Sequence, residues 1–175
     1  MMLERKFAQG ETSVRLEEDA RIAGYASWFG VEDTGRDVVA AGAYCDSLAR
    51  ISAEGRRVKM LWQHDPTCVI GVWDEVREDA RGLFVKGRLL PGVEKAREAA
   101  SLIEAGALDG LSIGYTVKRA GKDSQGRRLL KELELWEVSL VTFPMLPSAR
   151  VGAKADPLRE MARAIQSARL ELARD

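Results

Sequence analysis

The chain has 175 residues, enough for one domain and a short extension, and 46 % of them are hydrophobic and 31 % charged, the balance of a globular protein with a real core. Lys+Arg and Asp+Glu both number 27, so the net charge is zero, which counts against bulk nucleic-acid binding because that needs a basic excess to neutralise phosphates. The two cysteines, Cys45 and Cys68, form no CxxC or Cys/His cluster. They exclude a structural zinc site, leave no metal or other cofactor expected, and read as small buried hydrophobes of a reducing compartment. Met1 to Lys6 carries charge without an apolar segment behind it, so no signal peptide is expected. No stretch approaches the ~18 apolar residues of a membrane span, and a cytoplasmic protein is the expectation.

In chain order, residues 21–29 alternate loosely between apolar and polar and read as a strand ending at Gly30, and residues 35–39 as a short second strand. Residues 43–51 have helical spacing, with Tyr44, Leu48 and Ile51 on one face. Residues 58–62 read as a strand running straight into His64. Residues 69–73 and 83–89 look like a strand pair across the turn-like residues 78–82. Residues 93–105 make the clearest helix, with Val93, Ala96, Ala100 and Ile103 apolar and Gly106 as its stop. Strands follow at 111–117 and 129–143, joined by the polar loop 121–126, and Pro144 and Pro147 close the run. Residues 157–174 then form an amphipathic helix with Leu158, Met161, Ile165, Ala168 and Leu172 on one face, outside the main body. Many short strands with few helices suit an α+β domain, a mainly antiparallel β-barrel core with surrounding helices, and lack the regular alternation of a doubly wound sheet.

Three residues have types that work together. A serine hydroxyl is a poor nucleophile at neutral pH unless a base lies within hydrogen-bond reach and that base is oriented by a third group. The chain has one histidine, His64, in Leu61-Trp62-Gln63-His64-Asp65-Pro66, so any histidine-dependent hydrolysis within one chain must use it. Ser112 lies in Gly110-Leu111-Ser112-Ile113-Gly114, which superficially matches G-x-S-x-G. The alternation continuing through Ile113, Tyr115 and Val117 is a strand, however, not the strand-turn-helix of a nucleophile elbow. There the glycines serve close backbone approach. Strict period two puts Glu137 on one face with Leu133, Leu135, Ser139 and Val141, a charge out of place that needs a partner such as an imidazole N–H. Asp65 and Glu134 are rivals for the third role, and Ser27, Ser47, Ser101, Ser124 and Ser139 are competing serines that pattern alone leaves open.

Taken together, an ordered set of segments resembles a known family. The set is Gly24-Tyr25-Ala26-Ser27-Trp28-Phe29, Gly42-Ala43-Tyr44-Cys45-Asp46-Ser47-Leu48, Met60-Leu61-Trp62-Gln63-His64-Asp65-Pro66 with Ile70-Gly71, and Gly82-Leu83-Phe84-Val85-Lys86-Gly87. Residues 106–115 and Trp136-Glu137-Val138-Ser139-Leu140-Val141-Thr142-Phe143-Pro144 complete it. Over roughly residues 12–151 the chain is similar to the prohead (procapsid maturation) serine proteases of tailed bacteriophages, relatives of the herpesvirus assembly protease.

The resemblance implies a herpesvirus-protease-like barrel, a protease domain over residues 1–152 and a helical tail over 153–175. It implies a Ser-His pair at Ser112 and His64 with Glu137 in the third role, where herpesvirus relatives carry a second histidine that this chain lacks. It places the oxyanion donors at Met145 and Leu146, since Pro144 has no N–H. The expected substrate is the scaffold segment of the major capsid protein, with self-cleavage of the tail as a further event. The expected setting is a homo-oligomer or procapsid-associated enzyme in the bacterial host cytoplasm, inside the assembling procapsid of a phage or phage-derived particle, with no nucleic-acid or membrane partner. The competing expectation is a non-catalytic structural or scaffold barrel of such a particle.

Overall fold

The structure is a computed structural model that describes residues 20–33 and 35–143, together with the backbone of two short strands at 4–7 and 15–17. In chain order the elements are β1 (Glu4–Phe7), β2 (Arg15–Glu17), β3 (Arg21–Trp28), β4 (Asp37–Val39), α1 (Cys45–Ala53), β5 (Lys59–Trp62), β6 (Asp65–Glu78), β7 (Gly82–Leu89), α2 (Glu94–Glu104), β8 (Gly110–Lys122) and β9 (Arg128–Val141). The expected C-terminal helix at 157–174, the boundary at 152–153, and Met145 and Leu146 lie outside the described residues.

The strands form one sheet in the order β1-β8-β9-β5-β6-β7-β3-β2, with β4 beside β9. The sheet curls into a half-barrel, and β3 packs toward β8 and β1 across its open side. The pairing is mainly antiparallel, as expected, but the described sheet is mixed and only half closed, because β4 and β5 both run parallel to β9. The cause is a crossover. β4 pairs with β9 at Arg128 to Leu130, the chain leaves through α1, and β5 returns to the same edge at Glu137 to Leu140. The excursion through α1 lets β5 return to that edge in the same direction as β4, while the long connection that a parallel pair needs runs from β5 through β6, β7, α2 and β8 to β9. Backbone polar groups between the two contacts must still be satisfied. Ala43 accepts the Leu133 N–H at 2.8 Å and the Ser47 hydroxyl accepts the Leu135 N–H at 2.9 Å.

The concave side of the sheet holds the core, in which Met60, Ile70, Leu83, Val85, Leu111, Ile113, Leu133, Leu135, Val138 and Leu140 meet α1 through Ile51 and α2 through Ala96, Ala99 and Ile103. No side chain of α1 caps its first turn; Glu78 of β6 does so from outside, accepting the Tyr44 N–H at 2.8 Å. A carboxylate there also opposes the positive end of the helix dipole. The same carboxylate accepts the Cys45 thiol at 2.7 Å; Cys45 is exposed and Cys68 only half-buried, not the buried hydrophobes expected. After α2, Gly106 turns the chain at φ +69°, as its place at the helix end requires.

Candidate active site

The site face of β8 and β9 is fixed by register. Ser112 lies opposite Ser139 and Gly114 opposite Glu137, so these four positions share one face, while Leu111, Ile113, Val138 and Leu140 point into the core. This is not the face that strict alternation assigns to Glu137. Tyr115 pairs with Leu135 and Gly114 with Glu137, which leaves Trp136 as an extra residue on β9. A bulge of this kind flips the phase of a strand. Leu133 and Leu135 therefore face the core, and beyond Trp136 the core positions become Val138 and Leu140, putting Glu137 and Ser139 on the opposite side.

The next strand, β5, brings the histidine. Leu61 pairs with Ser139 and Trp62 with Leu140, and Trp62 then pairs with Asp65 of β6. Gln63 and His64 are thus the two central residues of a tight hairpin, with φ +53° and +62°. Positive φ at both positions is what a two-residue type I′ hairpin demands, and it is costly for residues with a Cβ, about 1–3 kcal/mol each. The turn is held by β9. Leu140 accepts the Gln63 N–H at 2.9 Å, and the Gln63 side chain donates to the Thr142 hydroxyl at 2.5 Å. The Ser139 hydroxyl accepts the His64 N–H at 3.1 Å.

This strained hairpin aims the imidazole back over the sheet, where His64 Nδ1 meets Glu137 Oε1 at 2.5 Å with both side chains buried. An ionised carboxylate only accepts hydrogen bonds, so Nδ1 carries the proton and Nε2 is the basic nitrogen. The other carboxylate oxygen, Oε2, accepts the Ser139 hydroxyl at 2.6 Å. The Glu137 side chain lies flat over Gly114, where an added Cβ would sit 2.1 Å from Oε1. The second glycine of the G-x-S-x-G pattern is therefore the space that the carboxylate fills. Two fixtures steady the β9 backbone: the Trp73 indole donates to the Val138 carbonyl at 3.2 Å, and the Ser47 hydroxyl holds Leu135 beside the bulge.

The structure brings together Ser112 of β8, Glu137 and Ser139 of β9 and His64 of the β5–β6 hairpin, with Ser112 fully buried and β1 running along its other side so that Phe7 pairs with it. The rivals lie elsewhere. Asp65 is exposed and bonded to Thr67, whose hydroxyl and backbone N–H hold its carboxyl below the ordinary value. Glu134 is buried but belongs to Arg50 and Arg56. Among the other serines, Ser27 is buried in β3, Ser47 is taken up by Leu135, Ser101 donates to Arg97 within α2, and Ser124 is exposed in the 122–128 loop. Pattern alone leaves Ser139 as one competing serine among several; its signal is its position two residues after Glu137, on the same face of the strand.

Comparison with known proteins adds the wider context. Residues 10–164 match the family of Caudovirus prohead serine proteases. The prohead protease of Enterobacteria phage HK97 is 32 % identical over 152 residues, an alignment that covers 82 % of this chain and 65 % of that protein. The chain thus spans less than two thirds of that relative's length. Among solved structures, the bacteriophage T4 capsid assembly protease gp21 superposes with a TM-score of 0.63 over 82 % of this chain and 97 % of that one, at 15 % identity, which is a likeness of fold.

Proposed function

Because the chain belongs to the family of caudovirus prohead serine proteases, we propose that it is a serine endopeptidase of Ser-His-Glu type that cleaves the scaffold segment of a major capsid protein during procapsid maturation. The observation that carries this reading is the buried His64–Glu137 pair at 2.5 Å on the strands next to Ser112. In the proposed reaction Nε2 of His64 takes the Ser112 proton as the hydroxyl attacks a peptide carbonyl, then returns it to the leaving amine. Glu137 keeps the imidazole in the Nδ1–H tautomer and stabilises its cationic form. Backbone N–H groups of Met145 and Leu146 are the proposed oxyanion donors. The protein acts in the bacterial host cytoplasm, inside the assembling procapsid, as a homo-oligomer or bound to the shell. Its protease domain ends at residue 152, and the segment 153–175 is a helical tail and a substrate for self-cleavage. In this reading the half-barrel is a herpesvirus-protease-like core.

The test is co-expression with the capsid protein of the same particle, comparing wild type with Ser112→Ala and His64→Ala by intact mass. A capsid protein shortened at its N-terminus in wild type alone is the expected result. Equal shortening in all three would overturn the assignment of both residues. Full-length capsid protein in normally assembled shells in all three would turn the reading to a structural barrel.

A further inference from the structure

Ser139 does two things with one hydroxyl. Its proton goes to Glu137 Oε2 at 2.6 Å, and a lone pair takes the backbone N–H of His64 at 3.1 Å. Glu137 Oε1 in turn holds His64 Nδ1 at 2.5 Å, so the contacts close a ring: Ser139 to the carboxylate, carboxylate to imidazole, and the histidine backbone back to Ser139. All three residues are buried. A hydroxyl has one proton and two lone pairs, so both of these bonds can form at once. The ring fixes the two features on which the imidazole's aim depends: the rotation of the carboxylate and the position of a backbone held at φ +62° in a residue with a Cβ. Ser139 is also the residue that pairs with Ser112 on one side and with Leu61 on the other, which puts it at the centre of the three strands.

We propose that Ser139 is a positioning residue of the active site, fixing the Glu137 carboxylate and the His64 main chain together so that Nε2 is aimed at the Ser112 side of the sheet. The inference rests on the reading of His64 and Glu137 given above. Ser139 is not assigned as the nucleophile, because its hydroxyl donates to the Glu137 carboxylate and not to Nε2 of His64. Both of its bonds serve the Glu137–His64 pair, one by turning the carboxylate and the other by holding the imidazole's backbone over it, so its effect on turnover disappears when Glu137 can no longer act.

That dependence is measurable. Wild type, Ser139→Ala, Glu137→Gln and the double variant are compared for kcat and KM on the capsid protein of the same particle. The single histidine supplies a second readout, since any imidazole N–H signal in a nuclear magnetic resonance spectrum belongs to His64. Ser139→Ala is expected to lower kcat about 10- to 100-fold with KM within about twofold, and to shift or broaden the Nδ1 proton signal. In the Glu137→Gln background the same change is expected to cost no more than about twofold, the non-additivity of residues that act as one unit. Wild-type kcat for Ser139→Ala, or an equal loss in both backgrounds, overturns the inference while leaving Glu137 in place. A wild-type kcat for Glu137→Gln overturns the reading beneath it and the inference with it. If the alanine variant does not fold, Ser139→Cys, which keeps the position filled but gives up the strong donor, is carried through the same cycle with the same expectations.

Discussion

Two glutamates lie three residues apart on β9, on either side of the Trp136 bulge, and both are buried, Glu134 at 5 % exposure and Glu137 at 3 %. Burial penalises both charges alike; their partners differ. Glu134 faces Arg50 and Arg56, guanidinium groups that stay charged at any pH the protein meets, so its charge is cancelled permanently and it bolts α1 and the following turn to the sheet. Glu137 faces an imidazole, which is neutral until it takes a proton, and a serine hydroxyl, which is neutral always. Its charge is therefore unspent until the imidazole becomes a cation, the step that a general base undergoes. Burial of a carboxylate does not mark an active site; burial against a partner that changes charge does.

The largest effect expected from this contrast is on turnover. Glu137→Gln should lower kcat on capsid-protein cleavage by about 10³- to 10⁴-fold, the size of a lost tautomer-fixing carboxylate. Glu134→Gln should leave the kcat of the folded protein within about threefold of wild type. Stability should show the reverse for Glu134. A denaturant titration of Glu134→Gln should show a loss of about 1–3 kcal/mol, the lower side of a broken buried pair because both arginines can still reach water. A Glu134 variant that stays stable but loses turnover would reverse the comparison.

A smaller effect sharpens the geometry. Gly114→Ala puts a Cβ where Glu137 Oε1 now lies, 2.1 Å away, and should displace the carboxylate, with kcat falling about 10- to 100-fold at nearly unchanged KM. The smallest effect concerns Asp79, a carboxylate in the β6–β7 turn that shares with Glu134 only an arginine partner. Partial burial raises its pKa, but bonds from Tyr25, the Arg81 and Gly82 backbone and Arg77 outweigh that and hold it down to about 2. A carboxyl held below its unfolded value adds stability above that value and loses it as the pH falls. The Asp79→Asn protein should thus be less stable than wild type at pH 6 by on the order of 1 kcal/mol, a gap that closes between about pH 4 and pH 2, with cleavage at neutral pH unchanged.

Much of the scaffold was legible because its periods are local. The helices at 43–51 and 93–105, the strand pair before and after residues 78–82, and the long final hairpin all correspond to elements of the structure. Pairing direction was not legible: nothing in the alternation of residues 37–39 or 59–62 says that both run parallel to β9, since that follows from where α1 returns the chain. Period two marked Glu137 as a charge on an apolar face, but the physical reason is different. The extra residue Trp136 turns that stretch over, and a bulge leaves no mark in an alternation of apolar and polar residues. The strained pair Gln63-His64 was equally hidden, because the turn lacks the Asn-Gly or Asp-Gly that usually marks a two-residue hairpin. The two glycines around Ser112 read as places of close approach, and the structure names what approaches one of them: the Glu137 carboxylate over Gly114.

The central claim is that Ser112 is the hydroxyl activated by the His64–Glu137 pair. The most direct measurement is to treat the full chain with a fluorophosphonate, which reacts covalently with an activated serine, and to locate the adduct by peptide mass. The account predicts a single adduct on the peptide carrying Ser112, abolished by His64→Ala and strongly reduced by Glu137→Gln. An adduct on Ser139 or any other serine, or one on Ser112 that His64→Ala leaves intact, would contradict it.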